Sequence, residues 1–192
     1  IFLCDSGGQY KYGTTDVTRT ICFSEPNLKI KKIFTKVLKG HIAVASVDLN
    51  KFKNGKLIDK KARKFLKNDG LNYNHGTGHG VGFFLNVHEG PQAISNNNKI
   101  IIREGMVLSN EPGYYEREKF GIRIENLIYV KKLKKKISFK NLTLAPIEKE
   151  LIDYHLLTKD EKNYLFNYHL ETYKKLSPYL NRNERNWLAS FI

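Results

Sequence analysis

Four acidic residues lie inside segments whose other residues are typical of buried β-strands, and this feature constrains the fold more than any other. Asp5 and Asp16 are 11 residues apart and flank a glycine-rich stretch at 6–13. Glu111 and Glu125 are 14 residues apart, and apolar residues surround Glu125. Burying an ionised carboxylate costs free energy unless the carboxylate is paired or binds a metal ion. The pattern therefore predicts two antiparallel hairpins whose four carboxylates share one site around a cation.

The register of the first hairpin follows from the expectation that its two aspartates lie side by side. If Asp5 faces Asp16, then Ile1 faces Thr20, and residues 21–23 have no partner in the chain. The hairpin would then be cut short at its open end. We therefore expect this chain to be a fragment, or one polypeptide of a nicked protein, which lacks full activity on its own.

The other segments alternate between amphipathic helices and short extended pieces. Apolar residues recur every three or four positions after Pro26, with lysines between them, and again before Gly70, which predicts two helices with one buried face each. Thr158 and Glu161 have the spacing of a capping box at the start of a third helix. The predicted elements are strands at 1–5, 14–23, 106–111, 120–130 and 142–146, helices from 24 and over 57–69, and a turn at 112–115.

Two histidines, His75 and His79, stand four residues apart in the segment HGTGHGVG. That spacing suits a zinc pair on a helix, but the four glycines of the same segment disfavour a helix, and in an extended segment both rings lie on one face. Four carboxylates and one imidazole around two divalent cations are nearly neutral, and oxygen-rich ligation favours manganese, magnesium, cobalt or iron over structural zinc. Two such ions ~3.5–4 Å apart bridge a water and lower its pKa from ~16 towards ~7.

Composition excludes some classes of protein. A hydrophobic share of 41% with 11 Tyr and 11 Phe can form a core, which excludes wholesale disorder. The 33 Lys and Arg exceed the 19 Asp and Glu by 14, and the lysine clusters at 29–39, 51–67 and 131–136 fit solvated faces better than a nucleic-acid surface. No apolar run is long enough to span a membrane, and two cysteines suit a reducing, cytoplasmic compartment.

Several segments together resemble the pita-bread metallopeptidases, and among them the Xaa-Pro aminopeptidases, also called aminopeptidase P. The matching segments are DSGGQYKYGTTDVTRT, HGTGHGVG, NVHEGP, NEPGYY and GIRIEN. The tail that begins LTLAPIEKELIDYH is similar to the C-terminal extension of the eukaryotic cytosolic-type enzymes.

The resemblance implies an α/β (α+β) pita-bread fold, in which a curved, mainly antiparallel sheet is backed by helices, here truncated at its N-terminal side. It also implies that 1–192 is most of one catalytic metallopeptidase domain, with a C-terminal extension at about 145–192. The upstream part of the domain and the N-terminal domains of the family would then be absent.

The resemblance also assigns the metal ligands. Asp5 would be a terminal ligand of one metal and Asp16 a bridging ligand. His79 and Glu111 would hold the other metal, with Glu125 as the second bridge. Glu111 would in addition act as a catalytic residue that accepts a proton from the water between the metals.

Two further histidines resemble catalytic residues of the family. His75 and His88 would contact the substrate, stabilise the developing oxyanion and carry protons to the leaving proline nitrogen. Arg123 is expected to orient Glu125 or another ligand. The remaining histidines are interpreted as structural or surface residues: His41, His155 and His169.

The resulting hypothesis is a metallo-aminopeptidase that hydrolyses the N-terminal Xaa-Pro peptide bond with a hydroxide activated by two divalent ions, for which the resemblance favours Mn²⁺. The implied partners are proline-containing peptides and, in the full-length protein, a second copy in a homodimer. No other cofactor, membrane or nucleic acid is expected.

Two alternatives stay open. A prolidase-like dipeptidase or a methionine aminopeptidase has the same fold, but the GTTDVTRT segment and the C-terminal extension argue against both. A pita-bread binding protein without activity would use the positive charge for nucleic acid or acidic partners. The presence of all five ligand positions argues for catalysis instead.

Overall fold

Short antiparallel strands and four helices make up the fold. This computed structural model describes residues 1–192. The strands are β1 (Phe2–Tyr10), β2 (Gly13–Ile21), β3 (Gly78–His79), β4 (Ala93–Ile94), β5 (Val107–Asn110), β6 (Gly113–Glu116), β7 (Phe120–Arg123), β8 (Asn126–Leu133) and β9 (Lys136–Asn141). The helices are α1 (Leu28–Ala45), α2 (Gly55–Lys67), α3 (Lys159–Leu176) and α4 (Arg182–Ala189), with 3₁₀ turns at Tyr154–Leu156 and Ser177–Tyr179. Hydrogen bonds join the strands in the orders β1-β2, β3-β4, β5-β8-β9 and β6-β7.

The register of the first hairpin differs from the predicted one. Asp5 faces Thr18, and Asp16 faces Gly7. The prediction that Asp5 faces Asp16 is therefore wrong by two residues, because the tight turn at 11–12 sets the pairing of the strands. A shift of two residues preserves the face of the ladder, so the two aspartates remain diagonal neighbours on one side of the hairpin.

The limits of the first hairpin change with its register. The stretch 6–13, which lies between the predicted strands at 1–5 and 14–23, is mostly strand, because β1 continues through Gly7 and Gly8 as far as Tyr10. Phe2 pairs with Ile21, so only residues 22 and 23 of the stretch predicted to be unpaired lie beyond the ladder. The open end of the hairpin is therefore more completely paired than the sequence predicts.

The second acid-bearing hairpin is interrupted in its middle. β5 pairs with β8, and β6 pairs with β7, so that Glu111 and Pro112 on one arm and Ile124 and Glu125 on the other separate two ladders. The chain reverses at 117–119, so the predicted turn at 112–115 is wrong. Pro112 lacks an N–H group and therefore ends one ladder without reversing the chain.

The interruption leaves the backbone N–H groups of the two glutamates free to bond outside their own hairpin. The N–H of Glu111 donates to the carbonyl of Thr77 at 2.8 Å. The N–H of Glu125 donates to the carbonyl of Thr18 at 3.0 Å. The break in the ladder therefore ties one glutamate to the histidine segment and the other to the first hairpin.

The helices lie close to their predicted positions, and their N-caps explain the differences. α1 begins at Leu28 rather than after Ser24, because the Asn27 side chain accepts a hydrogen bond from the N–H of Ile30. α2 begins two residues before its predicted start, behind the cap Asn54. The capping box predicted at the start of α3 is confirmed, with both of its reciprocal hydrogen bonds present.

The last strand is displaced from its predicted position at 142–146. β9 begins at Lys136 and ends at Asn141, because the basic run at 131–136 forms a tight turn in which Leu133 pairs with Lys136. Lys134 has a φ of 55° at this turn. The lysines of the run are exposed.

No helix of the structure combines the length and apolarity that crossing a membrane requires.

The larger hydrophobic cluster joins α1 to the second hairpin and to the C-terminal segments. Phe34 and Leu38 of α1 pack with Ile122 and Ile124, which flank Arg123 in the sequence. The remaining members of the cluster include Ile147, Leu151, Leu157, Leu165 and Tyr168 from the C-terminal segments. The strand that carries Glu125 is therefore packed between the first helix and the end of the chain.

The histidines interpreted as structural or surface residues occupy both kinds of position. His41 and His169 are buried, whereas His155 is exposed. The Nε2 atom of His169 accepts a hydrogen bond from the N–H of Ile147 at 3.1 Å, which requires an unprotonated ring nitrogen. Burial lowers the pKa of His169 from 6.5 to about 4.

We expect His169→Gln to weaken the dependence of stability on pH. Between pH 6.5 and about 4 the unfolded chain binds a proton that folded His169 excludes. The free energy of unfolding of the wild type therefore falls as the pH falls through this range, by up to ~1.4 kcal/mol per pH unit for this group. Urea unfolding across the range measures the slope, with His155→Gln as an exposed control. Equal slopes in the wild type and His169→Gln would contradict this account.

Candidate metal centre

All five side chains that the sequence analysis assigned to metals lie in one cluster. Their ligand atoms form overlapping groups of three, within which every atom lies within 4.8 Å of the others. The groups are Asp5 with Asp16 and Glu125, His79 with Glu111 and Glu125, and Asp16 with His79 and His88. The two hairpins and the histidine segment therefore build a single site.

Glu125 is the most buried carboxylate of the cluster, with 2% of its surface exposed. Its Oε2 atom accepts a hydrogen bond from the hydroxyl of Thr18 at 2.7 Å, but its Oε1 atom is buried without a partner. Burial and the charges of Glu111, Asp16 and Asp5 raise the pKa of Glu125 to about 7. A buried carboxylate oxygen without a donor is rare, and a cation would satisfy it.

Glu111 lies at the break in the second hairpin, beside Ser109. The Ser109 hydroxyl donates to Oε1 of Glu111 at 3.0 Å and accepts from the N–H of His79 at 2.9 Å. Burial raises the pKa of Glu111 above its usual value, although His79, the Ser109 hydrogen bond and Arg123 act in the opposite direction. The raised pKa makes this glutamate a stronger base than a free carboxylate.

The ring of His79 is oriented with one nitrogen towards the carboxylates. Its Nδ1 atom lies 2.9 Å from the carbonyl of Gly80, and its Nε2 atom lies 3.4 Å from both Asp16 and Glu111. A carbonyl partner at Nδ1 favours a proton there and leaves Nε2 as a potential ligand. Burial lowers the pKa of His79, but the carboxylates and the Gly80 carbonyl outweigh burial and raise it overall.

Arg123 connects several groups behind the cluster. One guanidinium nitrogen donates to Asp5, another donates to the Tyr115 hydroxyl at 2.8 Å, and Nε donates to the Thr18 hydroxyl at 3.0 Å. The Thr18 hydroxyl in turn donates to Glu125. Arg123 therefore contacts Asp5 directly and Glu125 through one hydroxyl, in agreement with the orienting role expected from the sequence.

The two histidines of HGTGHGVG have different neighbours. The extended part of the segment is only β3, so the alternation expected from the spacing does not reach His75. Its ring packs against Tyr73 and Tyr115, and its Nε2 atom lies 2.9 Å from the Tyr115 hydroxyl. Burial, together with the charges of Arg123 and Arg63, lowers the pKa of His75. The structure places this neutral imidazole beside the cluster rather than within it.

His88 lies closer to the potential ligands than the sequence alone indicates. Its exposed ring is centred 3.9 Å from the ring of His79, and it forms one of the groups of three with Asp16. No spacing pattern in the sequence links His88 to these residues, since it follows a loop after β3. Its exposure leaves it accessible to a molecule that enters the site.

The donor set fits two divalent metal ions. Glu125 belongs to two of the groups of three, one with the aspartates and one with His79 and Glu111. Carboxylate oxygens predominate in both, as manganese, magnesium and similar ions prefer. The buried, unpartnered Oε1 of Glu125 belongs to the residue that the two groups share.

A buried ion pair on α2, which the sequence analysis did not single out, supports the histidine segment. Arg63 donates from Nε to Asp59 and from its terminal nitrogens to the carbonyls of Tyr73 and His75, at 2.6 to 2.9 Å. Asp59 also accepts from the Thr77 hydroxyl at 2.6 Å. In the sequence, this ion pair is indicated by an Asp and an Arg four residues apart on the buried face of a lysine-rich helix.

Two protein families match consecutive parts of the chain. Metallopeptidase family M24 matches residues 1–132, and the C-terminal region of peptidase M24 matches residues 135–190. A probable Xaa-Pro aminopeptidase P of Coprinopsis cinerea is 47% identical over 98% of this chain and 32% of that protein. Another, of Pyrenophora teres f. teres, is 47% identical over 95% of this chain and 30% of that protein. The chain thus spans about a third of the length of these relatives.

Solved structures of an X-prolyl aminopeptidase and of a prolidase also match this chain. The crystal structure of X-prolyl aminopeptidase from Caenorhabditis elegans, described as a cytosolic enzyme with a di-nuclear active site, matches with a TM-score of 0.91 and 40% identity over 98% of this chain and 32% of that one. Prolidase from Pyrococcus furiosus matches with a TM-score of 0.65 and 31% identity over 73% of this chain and 40% of that one. The predicted pita-bread fold and the resemblance stated from the sequence are confirmed.

We expect Asp59→Ala to lower the free energy of unfolding by ~3–5 kcal/mol, because it leaves the Arg63 guanidinium buried without its anion. Chemical unfolding measures the change. Glu171→Ala is a matched control, since Glu171 and Lys175 also form an i,i+4 pair but are each more than half exposed. That control should change stability by less than ~0.5 kcal/mol. A similar loss in both variants would show that burial of the Asp59 pair has no special importance.

Proposed function

Because this chain belongs to metallopeptidase family M24, we propose that its site hydrolyses the peptide bond between an N-terminal residue and proline. The observation that carries the proposal is the convergence of three carboxylates and His79 on Glu125, whose Oε1 atom is buried without a partner. The names of the relatives at 47% identity support the choice of bond. The substrates would be proline-containing peptides with a free amino terminus.

Two divalent ions would be held by the five ligands. Asp5 and Asp16 would hold one ion, His79 and Glu111 the other, and Asp16 and Glu125 would bridge them. This division is supported by Glu125, which shares one group with Asp5 and Asp16 and another with His79 and Glu111, and by the third group, which joins Asp16 to His79. The di-nuclear site described for the Caenorhabditis elegans enzyme also supports it. When bound, such a pair lowers the pKa of a water towards ~7 and so supplies the nucleophile.

The protein side chains would move the protons. Glu111, whose pKa is raised by burial, would accept a proton at a carboxylate oxygen as the scissile carbonyl is attacked. His75 would contact the substrate beside the cluster and, once protonated at Nε2, would donate to the developing oxyanion, since in the neutral ring the proton lies on Nδ1, 2.7 Å from the carbonyl of Gly76. His88, exposed beside His79, would contact the substrate and carry a proton towards the proline nitrogen.

Three finer assignments complete the proposal. Manganese is the metal favoured by the oxygen-rich ligands and by the resemblance to aminopeptidase P. A cytoplasmic location agrees with the description of the Caenorhabditis elegans enzyme. The homodimer expected for the full-length protein rests on the family resemblance alone.

An aminopeptidase is better supported than a prolidase. The relatives at 47% identity are named as probable Xaa-Pro aminopeptidases, and the Caenorhabditis elegans aminopeptidase matches 98% of this chain. The C-terminal region of peptidase M24 accounts for residues 135–190. We therefore expect tripeptides and longer peptides to be substrates, and not only dipeptides.

In the full-length protein, Glu111→Gln should reduce kcat/KM for an Xaa-Pro-Xaa tripeptide by ~10²–10⁴, because the amide cannot accept the proton. Release of the free N-terminal residue, measured with added manganese, reports the reaction. Glu118→Gln is the control, since Glu118 is exposed at the turn of the second hairpin. Activity that persists in Glu111→Gln, or that survives a metal chelator, would contradict the proposed mechanism.

Metal binding can be measured apart from activity. We expect calorimetric titration of the chain with manganese to give two ions per chain, and Glu125→Gln to lose at least one, because this residue belongs to both ligand groups. Glu118→Gln again serves as the control. Full retention of two ions by Glu125→Gln would remove Glu125 from the ligand set.

A further inference from the structure

The five N–H groups of Arg19 lie within hydrogen-bond distance of six acceptors behind the candidate metal centre, so at least two acceptors share one donor. Nε donates to the carbonyl of Pro146 at 2.8 Å, and Nη1 donates to the carbonyls of Thr18 and Glu125. Nη2 lies 2.7 Å from both Asn126 Oδ1 and the carbonyl of Ala145, and 3.1 Å from the Tyr168 hydroxyl. One side chain thus joins the first hairpin, the second hairpin and the C-terminal region.

Two of these acceptors belong to the residues that position the shared carboxylate. The carbonyl of Glu125 fixes the backbone of the ligand itself. The carbonyl of Thr18 belongs to the residue whose hydroxyl donates to Oε2 of Glu125. Any displacement of the Arg19 guanidinium would therefore move both the ligand and the hydroxyl that orients it.

Three other acceptors belong to residues 135–190, the part matched by the C-terminal region of peptidase M24. They are the carbonyls of Ala145 and Pro146 and the hydroxyl of Tyr168 on α3. The Tyr168 hydroxyl is itself fixed, since it donates to the carbonyl of Ala145 at 2.7 Å and lies 3.2 Å from that of Thr143. Tyr168 is 4% exposed, so no water replaces these contacts without a rearrangement.

We propose that Arg19 and Tyr168 are positioning residues through which the C-terminal region sets the geometry of Glu125, and with it the affinity of the site for metal ions. The inference rests on the proposed function, because it concerns a ligand of the proposed metal pair. Neither residue touches a metal ligand's carboxylate. Arg19 acts through the backbone carbonyls of Glu125 and Thr18, and Tyr168 acts through Arg19.

Arginine is suited to this role by its shape. Its planar guanidinium presents five donors in a fixed arrangement, whereas lysine has three donors on a flexible stem. Arg19→Lys would leave at least half of the six acceptors without a charged donor. Tyr168→Phe is milder, since it removes one hydroxyl and leaves the other five acceptors of Arg19 in place.

Manganese titration calorimetry on the chain tests the inference without an activity assay. Residues behind metal ligands typically change metal affinity by ~10–100-fold. We expect a loss of about 10-fold in Tyr168→Phe and a larger one in Arg19→Lys, with the circular dichroism spectrum unchanged. The visible absorption of the cobalt-loaded protein, which reports ligand geometry, should shift in both variants.

Tyr164→Phe is the matched control. Tyr164 lies one turn earlier on α3, and its hydroxyl accepts from Asn141 at 3.0 Å rather than contacting Arg19. Equal manganese affinity and equal cobalt spectra in Tyr168→Phe, Arg19→Lys and Tyr164→Phe would overturn the inference while the wild type still binds two ions. A wild type that binds no metal would instead overturn the proposed function and the inference with it.

Discussion

Repulsion among four carboxylates held close together is the constraint on which the rest of the structure depends. Its strength is visible at Glu125, whose pKa is raised to about 7 by burial and by the three other carboxylates. Packing alone cannot hold such groups, because apolar contacts do not fix where a charge lies. The positions are set by hydrogen bonds: the N–H groups of Glu111 and Glu125 leave their own hairpin, and Thr18 and Arg123 bond the carboxylates.

Arginine and lysine have separate places in this chain. No lysine is buried, and the lysine clusters that dominate the net charge lie on the surface. Arg19, Arg63 and Arg123 instead contact the strands and loops that carry the ligands. The division follows from chemistry, because a guanidinium serves several carbonyls and carboxylates at once, whereas an ammonium is a strongly hydrated point charge. The high positive charge of the chain therefore does not indicate what the site binds.

The convergence of the four carboxylates could be predicted from the sequence, because charged residues in apolar strands are costly wherever the strands pair. The register of the first hairpin could not, since Asp5 and Asp16 remain on one face after a shift of two residues and only the turn at 11–12 decides between the pairings. The turn in the second hairpin was misplaced because Pro112 and Gly113 are typical of turns, yet here Pro112 separates two ladders and Gly113 begins the second of them.

Contacts between residues distant in sequence were the least predictable part, and they explain how the site is assembled. The proposed ligands extend from residue 5 to residue 125, and Arg19 contacts acceptors from Ala145 to Tyr168. These groups come from both hairpins, the histidine segment and the C-terminal region, so the inferred geometry of the site requires all of these parts of the chain to be folded. An ion that binds only the assembled site adds its binding free energy to the stability of the whole fold. The contacts of Arg19 with Ala145, Pro146 and Tyr168 therefore link the C-terminal region to the candidate centre, although that region contributes no residue to the clustered side chains.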